Sequence, residues 1–177
     1  MEEYLDVVDE NDLVVGRRTL KECLESGLLH RAVVVFLQDM DGRLYIQKRS
    51  SQKAWYPGYW SPSCAGHVSS GETYLEAARR EMREELGVAC ELTFTAKFLT
   101  PKWSYGKVTE WEYDALFVGT VGSTDFTLGE EVETGKWVGR GELSLMLRTG
   151  QERFTPDSAP AFEEYLRALE VGRKLGK

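Results

Sequence analysis

The stretch from Gly66 to Val88 constrains the fold of this chain more than any other, because it combines a well-marked helix with an unfavourable charge pattern. Glu81, Glu84 and Glu85 stand at positions i, i+3 and i+4, so a helix places their carboxylates side by side. Each like-charge pair at this spacing destabilises an isolated helix by roughly 0.2–0.5 kcal/mol. A divalent cation would reverse that cost, since Mg²⁺ binds carboxylate oxygens together with substrate phosphates.

Both ends of this helix are signalled in the sequence. Thr73 and Glu76 have the spacing of a capping box, and Gly87 is the left-handed residue expected just after the last turn. Arg80 lies one turn before Glu84 and is predicted to hold the acidic cluster in place. A second, apolar stripe is predicted to face the core, and it consists of Leu75, Ala78, Met82 and Leu86.

This stretch resembles the Nudix box, a pattern of glycines, glutamates and one arginine at fixed spacing. Every position of the pattern is matched, by Gly66, Glu72, Arg80, Glu81, Met82, Glu84, Glu85, Gly87 and Val88. The resemblance implies an α/β fold of the Nudix type, an α/β/α sandwich in which the box forms a loop, a helix and a loop. Glu72 and Arg80 are then expected to lock the loop to the helix.

The order of the predicted elements favours one α/β domain over residues 1–177, with a mixed β-sheet between helices. Residues 1–30 are predicted to form an N-terminal extension with a β-hairpin, and residues 155–172 a C-terminal helix. The box occupies residues 66–88, and Gly66 is expected in the loop before its helix. In the strand after the box, alternation is expected to turn three side chains inward, those of Leu92, Phe94 and Ala96.

Composition and charge argue against several classes of function. A hydrophobic content of 42% supports a real core, while the longest apolar runs are too short to predict a membrane span. The net charge of −7 argues against binding a nucleic acid polymer. Three widely spaced cysteines, and an acidic N-terminus without the apolar core of a signal peptide, predict a reduced, cytoplasmic protein.

A second group of candidate site residues lies outside the box. Glu110 and Glu112 are two residues apart in an alternating run, so a single strand would point both to the same face. That face is either in solvent or supplies a further metal ligand or general base, as a distal glutamate often does in Nudix enzymes. The two histidines of the chain, His30 and His67, could each be structural.

Around the box the chain also resembles type I isopentenyl diphosphate isomerases, which are relatives of the Nudix enzymes. The resemblance rests on residues 55–67, WYPGYWSPSCAGH. It implies a metal site made of His30, His67, Glu110 and Glu112. Cys23 stands where these isomerases have a third histidine, so the site is either altered or lost.

One departure from the isomerases bears on the chemistry. Their catalytic cysteine directly precedes the Gly-His pair, and here that position is Ala65. Cys64 is one residue early, and one step along a strand points a side chain to the opposite face. Their box is also degenerate in its glutamates, whereas this one is complete, so both differences favour hydrolysis.

The sequence therefore predicts hydrolysis of a diphosphate linkage with Mg²⁺ or Mn²⁺, in a nucleoside diphosphate derivative or a similar small molecule. The expected metal ligands are Glu81, Glu84, Glu85 and the Gly66 carbonyl. Glu81 is the expected general base, with Glu112 as the second candidate. Isomerisation of isopentenyl diphosphate and a non-catalytic nucleotide-binding module are the alternatives.

Three basic residues, Lys48, Arg49 and Lys53, are candidates for binding the phosphates of the substrate. Arg49 and Lys53 fall where the isomerases bind their diphosphate, although ordinary surface charge would look the same. The aromatic loops 50–63 and 100–107 are expected to select the substrate. The N-terminal hairpin could pair two copies of the chain into a homodimer.

Overall fold

The computed structural model describes residues 2–122, 126–150 and 152–175, and side chains only as far as residue 169. Its strands are β1 Tyr4–Val8, β2 Val14–Thr19, β3 His30–Gln38, β4 Leu44–Arg49, β5 Trp60–Ser61, β6 Cys64–His67, β7 Leu92–Leu99, β8 Trp103–Tyr105, β9 Val108–Glu110, β10 Glu112–Thr120 and β11 Val132–Val138. Its helices are α1 Leu20–Ser26, α2 Tyr74–Leu86, α3 Arg140–Thr149 and α4 Ser158–Leu175.

A mixed sheet forms the centre of the molecule, as predicted. Its main order is β11-β4-β3-β10-β7, with β5 paired to β4 and β6 paired to β3. The pair of β3 and β10 is parallel, and the other pairs in this sheet are antiparallel. Helix α2 packs on one face and α3 and α4 on the other, which confirms the α/β/α arrangement.

Each face of the sheet has its own hydrophobic core. The α2-side core includes Val33, Val35, Ala78, Met82 and Phe117. The α4-side core includes Val34, Phe36, Leu116, Phe162 and Tyr165. Alternate residues of β3 thus belong to opposite cores. Residues of the strands paired with β3 therefore lie on the same side of the sheet as the β3 residues that they pair with.

Helix α2 begins and ends where the sequence predicts. The Thr73 hydroxyl accepts a hydrogen bond from the Glu76 amide, and the Glu76 carboxylate accepts one from the Thr73 amide. Gly87 adopts φ 66°, and its N–H donates to the Arg83 carbonyl. The predicted apolar stripe is confirmed, since Ala78, Met82 and Leu86 are buried and Leu75 packs against them.

The strand β6, from Cys64 to His67, is a difference from the predicted organisation. Gly66 was expected in a loop, but it pairs with Val33 inside the sheet. β3 pairs with β4 only at its Gln38 end, so its other half is free to pair with β6. The box therefore begins as a strand, which holds Gly66 at a fixed position beneath α2.

The strand β7 differs from simple alternation. Thr95 is an extra residue, since Ala96 pairs with Leu116 and Phe94 with Phe117. This bulge moves Ala96 to the α4-side core, away from the face of Leu92. The Phe94 side chain is 58% exposed rather than inward, because β7 is the edge strand of the sheet.

The C-terminal helix begins later than predicted, at Ser158 rather than residue 155. A turn precedes it, closed by a hydrogen bond from the Ser158 amide to the Thr155 carbonyl at 3.0 Å. The Thr155 and Ser158 hydroxyls are also 2.6 Å apart. This turn keeps Pro156 and Asp157 outside the helix.

The predicted N-terminal hairpin is present as β1 and β2. Leu5 is fully buried, and the Asp6 carboxylate accepts hydrogen bonds from the Ser70 hydroxyl at 2.6 Å and the Gly71 amide at 3.2 Å. The hairpin thus fastens the loop between β6 and α2. Within the described part of the chain, no helix is both long and apolar enough to cross a membrane.

Candidate active site

A cleft of about 530 Å³ opens beside β6 and brings together most of the predicted site residues. It is lined on one side by the acids of α2 and on the other by residues of β9 and β10. Arg49, Lys53 and three aromatic side chains, Trp55, Tyr56 and Trp103, also line it.

The three acids of α2 differ in their surroundings. Glu81 and Glu85 are buried, whereas the Glu84 side chain is 60% exposed at the mouth of the cleft. The Gln47 amide donates a hydrogen bond to the Glu85 carboxylate at 2.7 Å. Burial, together with the nearby charge of Glu81, raises the pKa of Glu85 to about 8. Two buried carboxylates and an exposed one at the cleft mouth are suited to a divalent cation.

Gly66 lies directly against one of these acids. A Cβ atom at Gly66 would be 2.2 Å from Oε1 of Glu81 and 2.3 Å from its Cδ atom. Any other residue at this position would therefore displace the Glu81 carboxylate. This contact, and not the backbone conformation, accounts for the glycine, since Gly66 does not have a positive φ.

Arg80 joins the acids of α2 to the preceding segment. Its guanidinium donates to both oxygens of Glu72, at 3.1 and 3.0 Å, and to the His67 carbonyl at 2.9 Å. It also contacts Glu81 at 2.5 Å and Glu84 at 3.3 Å. One side chain thus links the loop, the end of β6 and two of the acids.

Alternation along β6 separates two sides of the cleft. Gly66 faces α2, whereas Ala65 packs against the α4-side core and lines the cleft. Cys64 is fully buried in the α2-side core, and burial raises the pKa of its thiol. The thiol thus points away from the position that Ala65 occupies.

The residues outside the box form a compact group, which we call the tetrad: His30, His67, Glu110 and Glu112. One ligand atom from each lies within 4.8 Å of the others. Glu110 and Glu112 belong to two strands rather than one, since β9 ends and β10 begins around Trp111. Both carboxylates nevertheless reach the same pair of histidines.

The tetrad has the features of a metal site. Nδ1 of His30 is 2.8 Å from the Leu28 carbonyl and so carries a proton in that contact, which leaves Nε2 directed at the acids. Nε2 lies 3.5 Å from Oε2 of Glu110 and 3.7 Å from Oε1 of Glu112. Both Nε2 and Oε2 of Glu110 are buried without a hydrogen-bond partner. Two imidazoles and two carboxylates with buried, unused ligand atoms fit a divalent transition metal.

Cys23 is not part of the tetrad as the structure describes it. It is fully buried on α1, and burial raises the pKa of its thiol to about 11. The thiol is therefore protonated at neutral pH.

Two further acids line the cleft, and sequence reasoning missed both. Asp114 is 1% exposed and Asp157 is half-buried in the turn before α4. Burial raises the pKa of Asp114, and the charges of Glu112 and Asp157 add to that effect. The position of Asp114, two residues after Glu112, indicated that both side chains lie on the same face of a strand. Nothing in the sequence connected Asp114 with Asp157.

The basic candidates are divided between the cleft and its exterior. Arg49 lines the cleft and donates to the Trp55 carbonyl at 3.2 Å. Lys53 also lines it and is paired with Glu131. Lys48 does not line the cleft, because strand alternation turns it to the other face, where it pairs with Glu133 at 3.0 Å.

Aromatic side chains from both predicted loops meet around Tyr56. Its ring centroid is 5.2 Å from that of Tyr59, 5.6 Å from that of Trp103 and 4.7 Å from that of Tyr105. Tyr56 has a positive φ of 50°, which is uncommon for a bulky residue. Residues 103–105 of the predicted loop 100–107 form strand β8, so these contacts join the 50–59 loop to a strand, and Tyr56 and Trp103 line the cleft.

Sequence comparison identifies relatives over most of the chain. The model of the NUDIX domain family matches residues 28–158. An isopentenyl-diphosphate Delta-isomerase from Serratia proteamaculans is 34% identical over 155 residues, which are 88% of this chain and 87% of that protein. An uncharacterized Nudix hydrolase from Streptomyces coelicolor is 34% identical over 164 residues, 91% of this chain and 87% of that protein.

Structure comparison finds a similar fold over most of the chain. The crystal structure of DR0079 from Deinococcus radiodurans superposes with a TM-score of 0.75 at 27% sequence identity. The match covers 92% of this chain and 99% of that one.

Proposed function

This chain belongs to the Nudix family, in a subgroup similar to isopentenyl-diphosphate Delta-isomerases, and on that premise we propose that it hydrolyses a diphosphate linkage. The proposed substrate is a nucleoside diphosphate derivative or a similar small molecule. The observation that carries the proposal is the complete acidic set of α2, seated against Gly66 in a cleft whose nearby wall presents Ala65 instead of a thiol.

In this proposal the acids of α2 hold Mg²⁺ or Mn²⁺. The ligands would be Glu81, Glu84, Glu85 and the Gly66 carbonyl. The cation would neutralise the phosphate oxygens and acidify the attacking water. Arg80 keeps Glu81 and Glu84 in position through its contacts with both and with the His67 carbonyl.

Glu81 is the proposed general base, which takes the proton of the attacking water. Its carboxylate is confined between the Gly66 backbone and the Arg80 guanidinium, so it has little freedom to rotate away. Glu112, on the opposite side of the cleft, is the second candidate. Arg49 and Lys53 lie in the cleft and would bind the phosphates, whereas Lys48 is left with no role there.

The test is a screen of diphosphates with Mg²⁺ and Mn²⁺, in which products are identified by ion chromatography. We expect phosphate or a nucleoside monophosphate to be released from at least one nucleoside diphosphate derivative. Conversion of isopentenyl diphosphate to dimethylallyl diphosphate, without hydrolysis of the other compounds, would replace the proposal by isomerisation. Tight binding without turnover of any compound would favour a non-catalytic nucleotide-binding module.

Isomerisation is kept as the second candidate because of the tetrad, whose four residues coincide with those that the isomerase resemblance implies. The Ala65 side chain has no proton to transfer, and the Cys64 thiol is enclosed in the α2-side core. A proton for a carbon atom would therefore have to come from another acidic group of the cleft, such as one of the carboxyls that line it. A homodimer and a cytoplasmic location stay predictions.

The tetrad gives a prediction of its own. A hundredfold excess of Zn²⁺ over its dissociation constant is expected to raise Tm by about 5 °C or more, because the ion binds the folded state. His67→Gln should remove most of this increase, whereas Glu84→Gln, on the opposite side of the cleft, should keep it. Differential scanning fluorimetry measures the three proteins side by side. An unchanged increase in His67→Gln would mean that Zn²⁺ binds elsewhere.

A further inference from the structure

Two acids in the cleft have no part in the proposed chemistry. Asp114 lies on β10 and Asp157 in the turn before α4, so both are on the α4 side of the sheet. The acids of α2 are on the other side of β6. The cleft thus contains a second acidic region, made by different elements from the one that carries the acids of α2.

Asp114 is placed deep in this region. It lies on an interior strand, opposite Ala32 of β3 and Phe98 of β7. It shares a strand face with Glu112, which is two residues earlier and also lines the cleft. The residue is 1% exposed, and its Oδ2 oxygen is buried with no hydrogen-bond partner. A buried carboxyl oxygen without a partner in the wall of a cleft calls for an explanation, and a hydrogen-bond donor of a bound ligand would supply one.

Asp157 lies in a hydrogen-bonded turn and lines the same cleft as Asp114. The Thr155 and Ser158 hydroxyls lie 2.6 Å apart, and the Ser158 amide donates to the Thr155 carbonyl. Thr155 is buried and lines the cleft together with Asp157. The turn therefore presents a carboxylate and a hydroxyl-bearing residue to the same region as Asp114.

The chemistry of this region selects what can enter it. Carboxylate oxygens accept hydrogen bonds and do not donate them, and a protonated carboxyl keeps part of that acceptor capacity. A ligand with O–H or N–H groups satisfies them, whereas a hydrocarbon would bury them without a partner. The aromatic rings of Tyr56 and Trp103, in the wall of the same cleft, are suited to stacking on a planar group.

We propose that Asp114 and Asp157 form a subsite for the hydrogen-bond donors of the group attached to the diphosphate, and that this subsite rejects a prenyl chain. The donors are the hydroxyls of a sugar or the amino group of a base, which share the same chemistry. The inference rests on the proposed function, which places a diphosphate in the cleft. It adds that the cleft also recognises the group attached to that diphosphate.

The test compares diphosphates that carry these donors with diphosphates that lack some or all of them. Steady-state kinetics with Mg²⁺ are measured for CDP, UDP, dCDP, isopentenyl diphosphate and inorganic pyrophosphate. We expect kcat/KM for CDP to exceed that for isopentenyl diphosphate by at least about 10²-fold, since a site that binds donors discriminates strongly against analogues that lack them. A loss with dCDP assigns the contact to the sugar, and a loss with UDP assigns it to the base.

The matched variants are Asp114→Leu, Asp157→Leu and the conservative Asp114→Asn. Each leucine variant should lower the ratio of CDP to isopentenyl diphosphate by at least about tenfold, mainly through the KM of CDP. Asp114→Asn, which keeps an acceptor oxygen, should lie in between. Asp41→Leu is the control, because that aspartate is 82% exposed in a turn outside the cleft. If Asp114→Leu is unstable by its Tm, Asp157→Leu carries the test, since its position is half-buried.

A ratio that stays the same in both leucine variants, or a wild-type preference for isopentenyl diphosphate, would overturn the subsite. Absence of hydrolysis with every compound would instead refute the proposed function. In that case the affinities of CDP and isopentenyl diphosphate, measured by calorimetry with Mg²⁺, test the subsite independently of hydrolysis. At least tenfold tighter binding of CDP, lost in Asp157→Leu, would support it, and equal binding would refute it.

Discussion

Glu84→Gln is expected to lower kcat/KM with Mg²⁺ by about 10²- to 10³-fold, the size of effect found when one charge-stabilising group is removed from an active site. The substitution keeps the shape of the side chain and removes its negative charge. The remaining acids, Glu81 and Glu85, would hold a cation less tightly, so raising the Mg²⁺ concentration should recover part of the lost rate. Initial rates across a Mg²⁺ titration measure both effects.

The same variant should fold normally. The Glu84 side chain is 60% exposed, and among the described residues its polar contact is the one with Arg80 at 3.3 Å, so the free energy of unfolding should change by about 0.5 kcal/mol or less. Glu163→Gln, on the exposed surface of α4, makes the same chemical change outside the cleft and should keep the wild-type rate. Wild-type turnover in Glu84→Gln would show that the metal assignment is wrong.

Gly66→Ala is expected to lower kcat by about 10²- to 10⁴-fold, the range expected when a general base is lost. The added methyl would lie 2.2 Å from Oε1 of Glu81, so the carboxylate has to move. Burial and the Arg80 contact leave it little space in which to do so. Single-turnover rates at saturating substrate measure the chemical step directly.

A double-mutant cycle distinguishes this explanation from general damage. If Gly66 acts by positioning Glu81, then Gly66→Ala combined with Glu81→Gln should be no slower than Glu81→Gln alone. Gly141→Ala, at a position with no atom near the added methyl, is the control and should leave kcat unchanged. Effects that multiply in the double variant would mean that the glycine has a separate role.

Sequence reasoning was most accurate for α2, because its signals are local. The capping residues Thr73 and Glu76 and the stop at Gly87 depend on neighbours in the chain, and the structure confirms all three. The apolar stripe follows from the helical period alone. The mutual position of the three acids was therefore predictable without knowledge of the rest of the fold.

The strands were harder, since pairing partners decide their faces. Cys64–His67 carries no alternating pattern, and it is a strand only because half of β3 lacks another partner on that side. The bulge at Thr95 likewise reflects the fit between β7 and β10, so simple alternation misplaced Ala96.

In the candidate site, too, local patterns were predictable from the sequence and long-range contacts were not. The tetrad was expected only through resemblance to a known family, because His30 and Glu112 are far apart in the chain and meet through the parallel pairing of β3 with β10. Asp114 and Asp157 come together through the packing of α4 on the sheet. Contacts of this kind depend on tertiary structure, and a single sequence carries little trace of them.

The short strand β6 has a consequence for insertions and deletions. Its successive residues serve different sides of the cleft, with Gly66 against Glu81 and its neighbours Ala65 and His67 on the other side. Gain or loss of one residue in the 62–63 connection would shift this register and exchange the two sides, so its length should be invariant among functional variants. The aromatic loop at residues 50–59 lies outside β6 and contributes Lys53, Trp55 and Tyr56 to the wall of the cleft. Changes in its length offer a route to new substrates that leaves the acids of α2 in place.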